Sequence, residues 1–195
     1  DLIWVYPKEI ESNAGNVLVT QSFTEAQEAL KDGKSVLLNP PTDQIDGIKG
    51  RFVPVFWSPV HFPDQPGTMG LLMDPEHPVF NTFPTEFHSD WNWWDLAIRS
   101  KSLETDPENA DILVRVIDNF VRNSHLSNLF EAKVGEGKLI FSAIDLHSSL
   151  NDRPAARQLK YSILNYMNSK TFEPGKTMEL SELAEYKKSR YVMSE

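Results

Sequence analysis

The stretch that decides the fold is residues 16–39, which read NVLVTQSFTEAQEALKDGKSVLLN. Its opening is rich in β-branched residues and predicts a short strand. Ser22 and Glu25 follow with the spacing of a capping box, which predicts the start of a helix, and Gly33 is placed to end that helix. The run 35–38 is apolar without alternation, which is typical of a strand buried on both faces. The stretch therefore predicts a β-α-β crossover with two parallel strands.

The remainder of the chain predicts further strands, one long helix and one hairpin. Strands are predicted at 2–6, 52–57, 69–73, 94–100 and 112–121, and for the last of these, whose apolar spacing also permits a helix, we favour a strand. Residues 154–168 begin with Pro154 and carry apolar side chains on one face, which predicts the clearest helix. Residues 129–134 and 138–144 flank Gly135-Glu136-Gly137, which predicts an antiparallel hairpin with a three-residue loop.

The length of the chain is consistent with one domain followed by a C-terminal tail. A chain of 195 residues fits a single domain with its own core. We place the α/β domain at 1–172 and a polar C-terminal extension at 173–195, which we expect to dock loosely. Leu180, Leu183 and Tyr186 have the spacing of a short amphipathic helix within that extension.

Composition and charge exclude several classes of function. The formal net charge of -9 disfavours binding to nucleic acid and to anionic membrane surfaces, because both require clustered Lys and Arg. No apolar run approaches the roughly 20 residues of a membrane span. The absence of cysteine excludes disulfides, thiolate metal sites and a Cys nucleophile. The opening residue Asp1 is not preceded by a methionine or a signal peptide, so we expect an excised piece of a longer protein.

Several motifs follow one another in order through the middle of the chain. They read GRFVPVFWS at 50–58, PGTMGLL at 66–72, DPEHP at 74–78, FPTE at 83–86, DWNWW at 90–94, IDNFVRN at 117–123 and LFEAKVGEGKL at 129–139. Together they resemble the carboxy-terminal region of large family 2 glycoside hydrolases, which are β-galactosidase-like enzymes of polysaccharide-degrading bacteria. The resemblance covers roughly residues 35–170.

This resemblance implies a fold and a role. The implied fold is three-layer α/β with a mainly parallel sheet, flavodoxin-like or class I glutamine amidotransferase-like, with an antiparallel hairpin near the C-terminus. The sugar-cleaving carboxylates of that family lie in a barrel domain that this sequence lacks, so no catalytic residue is carried over. The implied role is a non-catalytic accessory domain of a secreted enzyme, periplasmic or extracellular. Its expected partners are the other domains of the parent glycosidase and an oligosaccharide.

Aromatic and polar side chains concentrate between residues 57 and 94 and form the candidate site. The candidate carbohydrate-binding residues are Trp57, His61, Glu86, His88, Asp90, Trp91, Trp93 and Trp94. Sugar rings present apolar C–H faces that stack on aromatic rings, while carboxylates and imidazoles bond their hydroxyls. The alternative is that these rings pack in the core or against a neighbouring domain of the parent enzyme.

The sequence also permits other chemistries. A small serine hydrolase acting on sugars or sugar esters would use Ser58 as nucleophile and His147 as base, although the bulky neighbours of Ser58 disfavour a nucleophile elbow. An independent carbohydrate-binding module is a further alternative. Nitrogen and oxygen donors suited to a metal occur at His61, His77, His88, Asp90 and His147. They lack the spacing of a compact metal motif, so we predict neither a metal nor a cofactor.

Overall fold

The structure is a computed structural model that describes residues 3–10, 12–52, 61–62 and 68–188. Within these residues nine strands form one mixed sheet, and four α-helices and three 3-10 turns surround it. In the same part of the chain, none of the helices combines the length and apolar character needed to cross a membrane.

The strands and helices alternate unevenly along the chain. The strands are β1 Val17–Thr20, β2 Ser35–Leu38, β3 Ile48–Lys49, β4 Thr68–Leu72, β5 Lys101–Glu104, β6 Asp111–Asp118, β7 Leu126–Val134, β8 Gly137–Ser142 and β9 Thr177–Met178. The helices are α1 Phe23–Lys31, α2 Trp94–Ile98, α3 Pro154–Met167 and α4 Leu180–Glu185, with 3-10 turns at Thr42–Gln44, Pro78–Phe80 and Trp91–Trp93. Five strands lie between β3 and α3, so the middle of the chain is dominated by strand.

The predicted β-α-β crossover is confirmed. Strands β1 and β2 pair in parallel, and α1 connects them. The Ser22 side chain accepts a hydrogen bond from the Glu25 N–H at 3.3 Å, as the capping pattern predicted. Gly33 has a φ of +75° and donates its N–H to the Leu30 carbonyl, which ends the helix in the left-handed conformation that suits glycine.

The prediction of a mainly parallel, flavodoxin-like sheet is wrong. β2 continues in parallel onto β8, but β8 then pairs antiparallel with β7. β7 is the central strand, because its first residue Leu126 pairs with Glu104 of β5 on one side and Val116 of β6 on the other, both antiparallel. β4 on β6 and β3 on β5 are antiparallel as well, whereas the short β9 lies parallel to β7.

Connection length explains the direction of these strands. A parallel neighbour needs a crossover of about a dozen residues or more, usually with a helix, whereas an antiparallel neighbour needs only a short turn. The β6–β7 connection at 119–125 is too short for a crossover, and β7 and β8 are joined by the predicted hairpin. That hairpin loop is shorter than predicted, since Val134 pairs directly with Gly137 and Gly135 turns with a φ of +59°.

Both faces of the sheet are buried, and successive residues alternate between two cores. Leu129 and Ile140 belong to the cluster under α2, α3 and the turn Pro78–Phe80. Phe130 and Phe141 belong to the opposite cluster under α1 and α4. Each such side chain stabilises the fold by roughly 1.5–3 kcal/mol on burial. Burial on both faces explains the unbroken apolar runs, which do not specify strand direction.

Two other predicted strands also differ from the structure. Residues 94–100 begin with helix α2 instead of a strand, and the described residues 3–6 of the predicted first strand are not in a strand. The predicted strand 52–57 falls almost wholly outside the described residues. The predicted strand at 112–121 and the helix at 154–168 are present as β6 and α3.

The C-terminal segment is part of the sheet and core up to residue 188. β9 pairs with β7, and the predicted amphipathic helix is present as α4. Glu179 and Glu182 form a reciprocal capping box at its start, and Leu183 is fully buried. The segment therefore docks firmly instead of loosely, while the domain boundary at 173 stays a prediction.

Candidate functional site

An N-terminal segment lies across the part of the chain that carries the tryptophans. The Tyr6 ring stacks on Phe83 with ring centroids 6.2 Å apart, and the Tyr6 hydroxyl accepts a hydrogen bond of 2.7 Å from the Asn92 amide. Arg157 of α3 donates to the Pro7 carbonyl at 2.8 Å. These contacts hold the segment in an extended path beside residues 84–94.

The segment forms one wall of a groove made of two adjoining cavities. The first, of about 360 Å³, lies between Trp4, Tyr6, Glu86 and Asp90. The second, of about 340 Å³, lies between Trp4, Tyr6, Trp91, Trp94, Asp95 and Arg153. Because Trp4 and Tyr6 line both, we treat the two cavities as one N-terminal groove. Exposed Asp152 lies at its margin beside α3.

The tryptophans are presented by a helical turn and not by an extended strand. The Asp90 side chain accepts a hydrogen bond of 2.9 Å from the Asn92 N–H and so caps the 3-10 turn Trp91–Trp93. The helical period sends neighbouring indoles in different directions. Trp91 is 74% exposed and Trp94 47% exposed, and both line the groove.

Trp93 belongs to the core and not to the groove. It is fully buried between Phe80 and Phe83, and its Nε1–H donates to the Thr85 hydroxyl at 2.8 Å. A sugar ring cannot reach it in this fold. Its sequence-based assignment as a carbohydrate contact is therefore corrected to a packing role.

An ion-pair network centred on the buried Arg153 adjoins the second cavity. The Arg153 Nε donates to Asp95 at 2.6 Å, and its Nη1 lies 3.3 Å from an Asp145 oxygen. Asp95 also accepts from Arg99 at 3.0 Å. Burial acts to raise the pKa of Asp145, but hydrogen bonds from the backbone N–H groups of Ser148 and His147 outweigh it and hold that pKa below its usual value. Asp145 is therefore a fixed negative charge.

Asp90 has the opposite electrostatic environment. Burial raises the pKa of this carboxyl, and the hydrogen bond from the Asn92 N–H only partly opposes that effect. The negative charge of Glu86 raises the pKa further, while the imidazole of His88 acts in the other direction. Two carboxyl groups, those of Glu86 and Asp90, therefore line the first cavity, and burial favours the neutral form of the second.

Sequence comparison gives this groove a family context. A family model described as a domain of unknown function (DUF8487) matches residues 18–188. The chain belongs to this family. No curated protein matches the chain. In this DUF8487 member, Trp91 and Trp94 lie within the matched residues, whereas Trp4 and Tyr6 precede them.

The groove brings together part of the candidate set predicted from the sequence. Glu86, Asp90, Trp91 and Trp94 line it. His61 and His88 are exposed and do not belong to the residues that line either cavity, and Trp57 lies outside the described residues.

Sequence reasoning missed the wall that completes the groove. The sequence pattern predicts a strand at Trp4 and Tyr6, and it does not place Asp95, Asp152 or Arg153 among the candidate site residues. The alternation of Trp4 and Tyr6 in the opening residues is a local signal that both rings face the same side of an extended segment. Nothing local indicates that Arg153 would meet Asp95, since the two are distant in sequence.

The serine-hydrolase alternative stays a prediction in this DUF8487 domain, and the described residues show only the surroundings of its proposed base, His147. Ser58 lies outside the described residues. The His147 Nδ1 is 3.1 Å from the Ser148 hydroxyl and 3.5 Å from Asp145, so both neighbours meet the same ring nitrogen. A catalytic triad needs the serine and the carboxylate on opposite nitrogens. Within the described chain the buried His147 Nε2 has no hydrogen-bond partner, and no group of three or more potential ligands is placed to hold a metal.

Proposed function

We propose that this domain is a non-catalytic accessory module that contacts an oligosaccharide through the N-terminal groove. The observation that carries the proposal is the pair of exposed indoles, Trp91 and Trp94, in one cavity beside polar side chains. Large exposed aromatic rings cost free energy in water and mark surfaces that bind something. A sugar ring suits such a surface, because its apolar face can stack on the indoles and its hydroxyls can form hydrogen bonds with the polar side chains.

The size of the expected effect is modest. Covering about 100 Å² of an indole contributes roughly 2.5 kcal/mol at about 25 cal/mol per Å². Two rings together offset the translational and rotational cost of association only in part. We therefore expect the groove to bind an oligosaccharide with a dissociation constant in the micromolar to millimolar range. A neighbouring domain would bind the remaining sugar units of a longer polysaccharide.

The parent protein is proposed from the sequence resemblance alone. The motifs between residues 50 and 139 support a secreted family 2 glycoside hydrolase, located in the periplasm or outside the cell. In such a protein the groove would steer the polysaccharide or meet a neighbouring domain. Binding of an oligosaccharide by the isolated domain would favour the first of these roles.

Replacing either exposed indole tests the proposal. We expect Trp91→Ala and Trp94→Ala each to weaken the binding of a neutral galacto-oligosaccharide about tenfold, which corresponds to ~1.4 kcal/mol. The measurement is isothermal titration calorimetry on the purified domain. Phe120→Ala is the matched control, because Phe120 is 70% exposed and lines neither cavity of the groove.

Three outcomes decide the proposal. The control variant should bind as the wild type does, and all three variants should keep the wild-type thermal unfolding temperature. Wild-type protein that binds no oligosaccharide at millimolar concentration would contradict a sugar-contacting role. Turnover of chromogenic galactosides or sugar esters by the purified domain would contradict the non-catalytic assignment.

A further inference from the structure

The groove carries more negative charge than its neighbours neutralise. Glu86 and Asp152 are exposed, and Asp90 directly precedes Trp91 in sequence. Among the described residues that line the two cavities, the one Lys or Arg is Arg153.

The Arg153 guanidinium already donates hydrogen bonds to groups of the protein itself. Its Nε donates to Asp95, its Nη1 to the Ser148 carbonyl and its Nη2 to the Asp145 carbonyl, with distances of 2.6, 2.9 and 2.9 Å. The side chain is 5% exposed. A guanidinium held between two aspartates presents no uncompensated positive charge to a ligand.

From this arrangement, and resting on the proposed function, we infer that the groove selects oligosaccharides whose sugar units carry protonated amines. Neutral oligosaccharides bind more weakly, because they stack on the indoles and form hydrogen bonds but gain no ion pair. Oligosaccharides of uronic acids are disfavoured, because their carboxylates meet the carboxylates of Glu86 and Asp152, and the described lining of the two cavities offers no Lys or Arg besides Arg153. The inferred ligand class is thus an amino-sugar oligomer such as a glucosamine oligomer.

The expected size of this selectivity follows from the exposure of the groups. An exposed ion pair is worth about 0.2–1 kcal/mol, so one amine beside Glu86 or Asp152 strengthens binding up to about fivefold. Added salt screens such pairs over about a Debye length. The preference for the amino sugar over the neutral sugar should therefore shrink at high ionic strength, whereas stacking should persist.

The experiment compares three probes on the purified domain. Calorimetric titrations use glucosamine oligomers, neutral galacto-oligosaccharides and oligogalacturonates of matched length, at slightly acidic pH and at low and high salt. We expect the affinity to fall in that order at low salt. Glu86→Gln and Asp152→Asn should each weaken binding of the glucosamine oligomer by about two- to fivefold, and should weaken binding of the neutral probe by clearly less.

A matched charge control separates the groove from the overall charge of the protein. Glu28→Gln removes one exposed carboxylate on α1, which lines neither cavity, and should leave all three affinities unchanged. Equal or tighter binding of the oligogalacturonate would overturn the selectivity while leaving a sugar-binding groove intact. Failure of all three probes would instead overturn the proposed function itself.

Discussion

At the scale of single residues, Glu131 is the most unusual side chain in the core. It lies on the central strand β7, is 4% exposed, and accepts a hydrogen bond of 3.1 Å from the Tyr166 hydroxyl. Burial raises the pKa of Glu131 to about 7, although the hydrogen bond from Tyr166 opposes the rise. The charge of Asp111, its partner across the β6–β7 ladder, adds to it. The other Glu131 oxygen has no hydrogen-bond partner within the described residues.

This raised pKa predicts stability that declines as the pH rises. The pKa in the folded state, about 7, lies above the ordinary value of 4.5. The stabilising contribution is therefore fully present below pH 4.5 and is lost as the pH rises through 7. Glu131→Gln keeps an acceptor for Tyr166 but does not titrate. Over this pH range we expect the unfolding free energy of the wild type to fall by an amount on the order of 3 kcal/mol. The variant should not show this fall.

Urea unfolding of both proteins at the two ends of that range measures the effect. The wild type should lose more stability than Glu131→Gln between the acidic and the neutral end. An identical loss in the two proteins would show that Glu131 does not titrate in this range.

The tryptophan cluster shows why the sequence located the candidate site but not its geometry. The sequence shows that Trp91, Trp93 and Trp94 are clustered, and that the polar residues Glu86 and Asp90 lie close to them along the chain. Which indole faces solvent depends on whether the backbone is extended or helical, because the side-chain period differs. Asp90 is a local signal for a helical turn, because its side chain caps the turn Trp91–Trp93.

At the scale of elements, local sequence signals predicted the helices and turns that they adjoin, but the sequence did not predict how distant strands pair. The capping pattern, the glycine stop and the two flanking strands of the β-α-β unit all lie within residues 16–39 and are confirmed. The hairpin of β7 and β8 was also predictable, because its turn residues adjoin its strands. The direction of β4 against β6 and of β5 against β7 depends on partners farther away in sequence, and the apolar runs contain no information about it.

The C-terminal helix α4 gives a prediction at this scale. Leu183 is fully buried in the cluster under α1 and α4, whereas Leu180 is only partly buried against the same cluster. We expect Leu183→Ala to lower the unfolding free energy by about 2–5 kcal/mol, since it leaves a cavity in the core. Leu180→Ala is the matched control and should cost clearly less.

Urea unfolding at constant pH measures both changes. The same small loss for Leu183→Ala and Leu180→Ala would mean that the segment docks loosely, as the sequence first indicated. A large loss for Leu183→Ala alone would make α4 part of the folding unit.

At the scale of the whole molecule, the sheet supplies a rigid base and the groove lies where three parts of the chain meet. The N-terminal segment, residues 84–95 and the start of α3 each contribute one side. Tyr6 and Arg157 tie the segment to the other two parts through hydrogen bonds. Because both faces of the sheet are covered, the exposed indoles of the groove are not needed to complete either core. This separation between core and groove is the physical basis of the binding proposal.

The measurement that tests this account most directly is NMR observation of the indole N–H signals during titration with a galacto-oligosaccharide. The chain has five tryptophans, and single Trp→Phe variants assign their signals. The account predicts that the signals of Trp91 and Trp94 shift in a saturable manner, while the signal of buried Trp93 stays in place. Indole signals that all remain unchanged at millimolar sugar would contradict it.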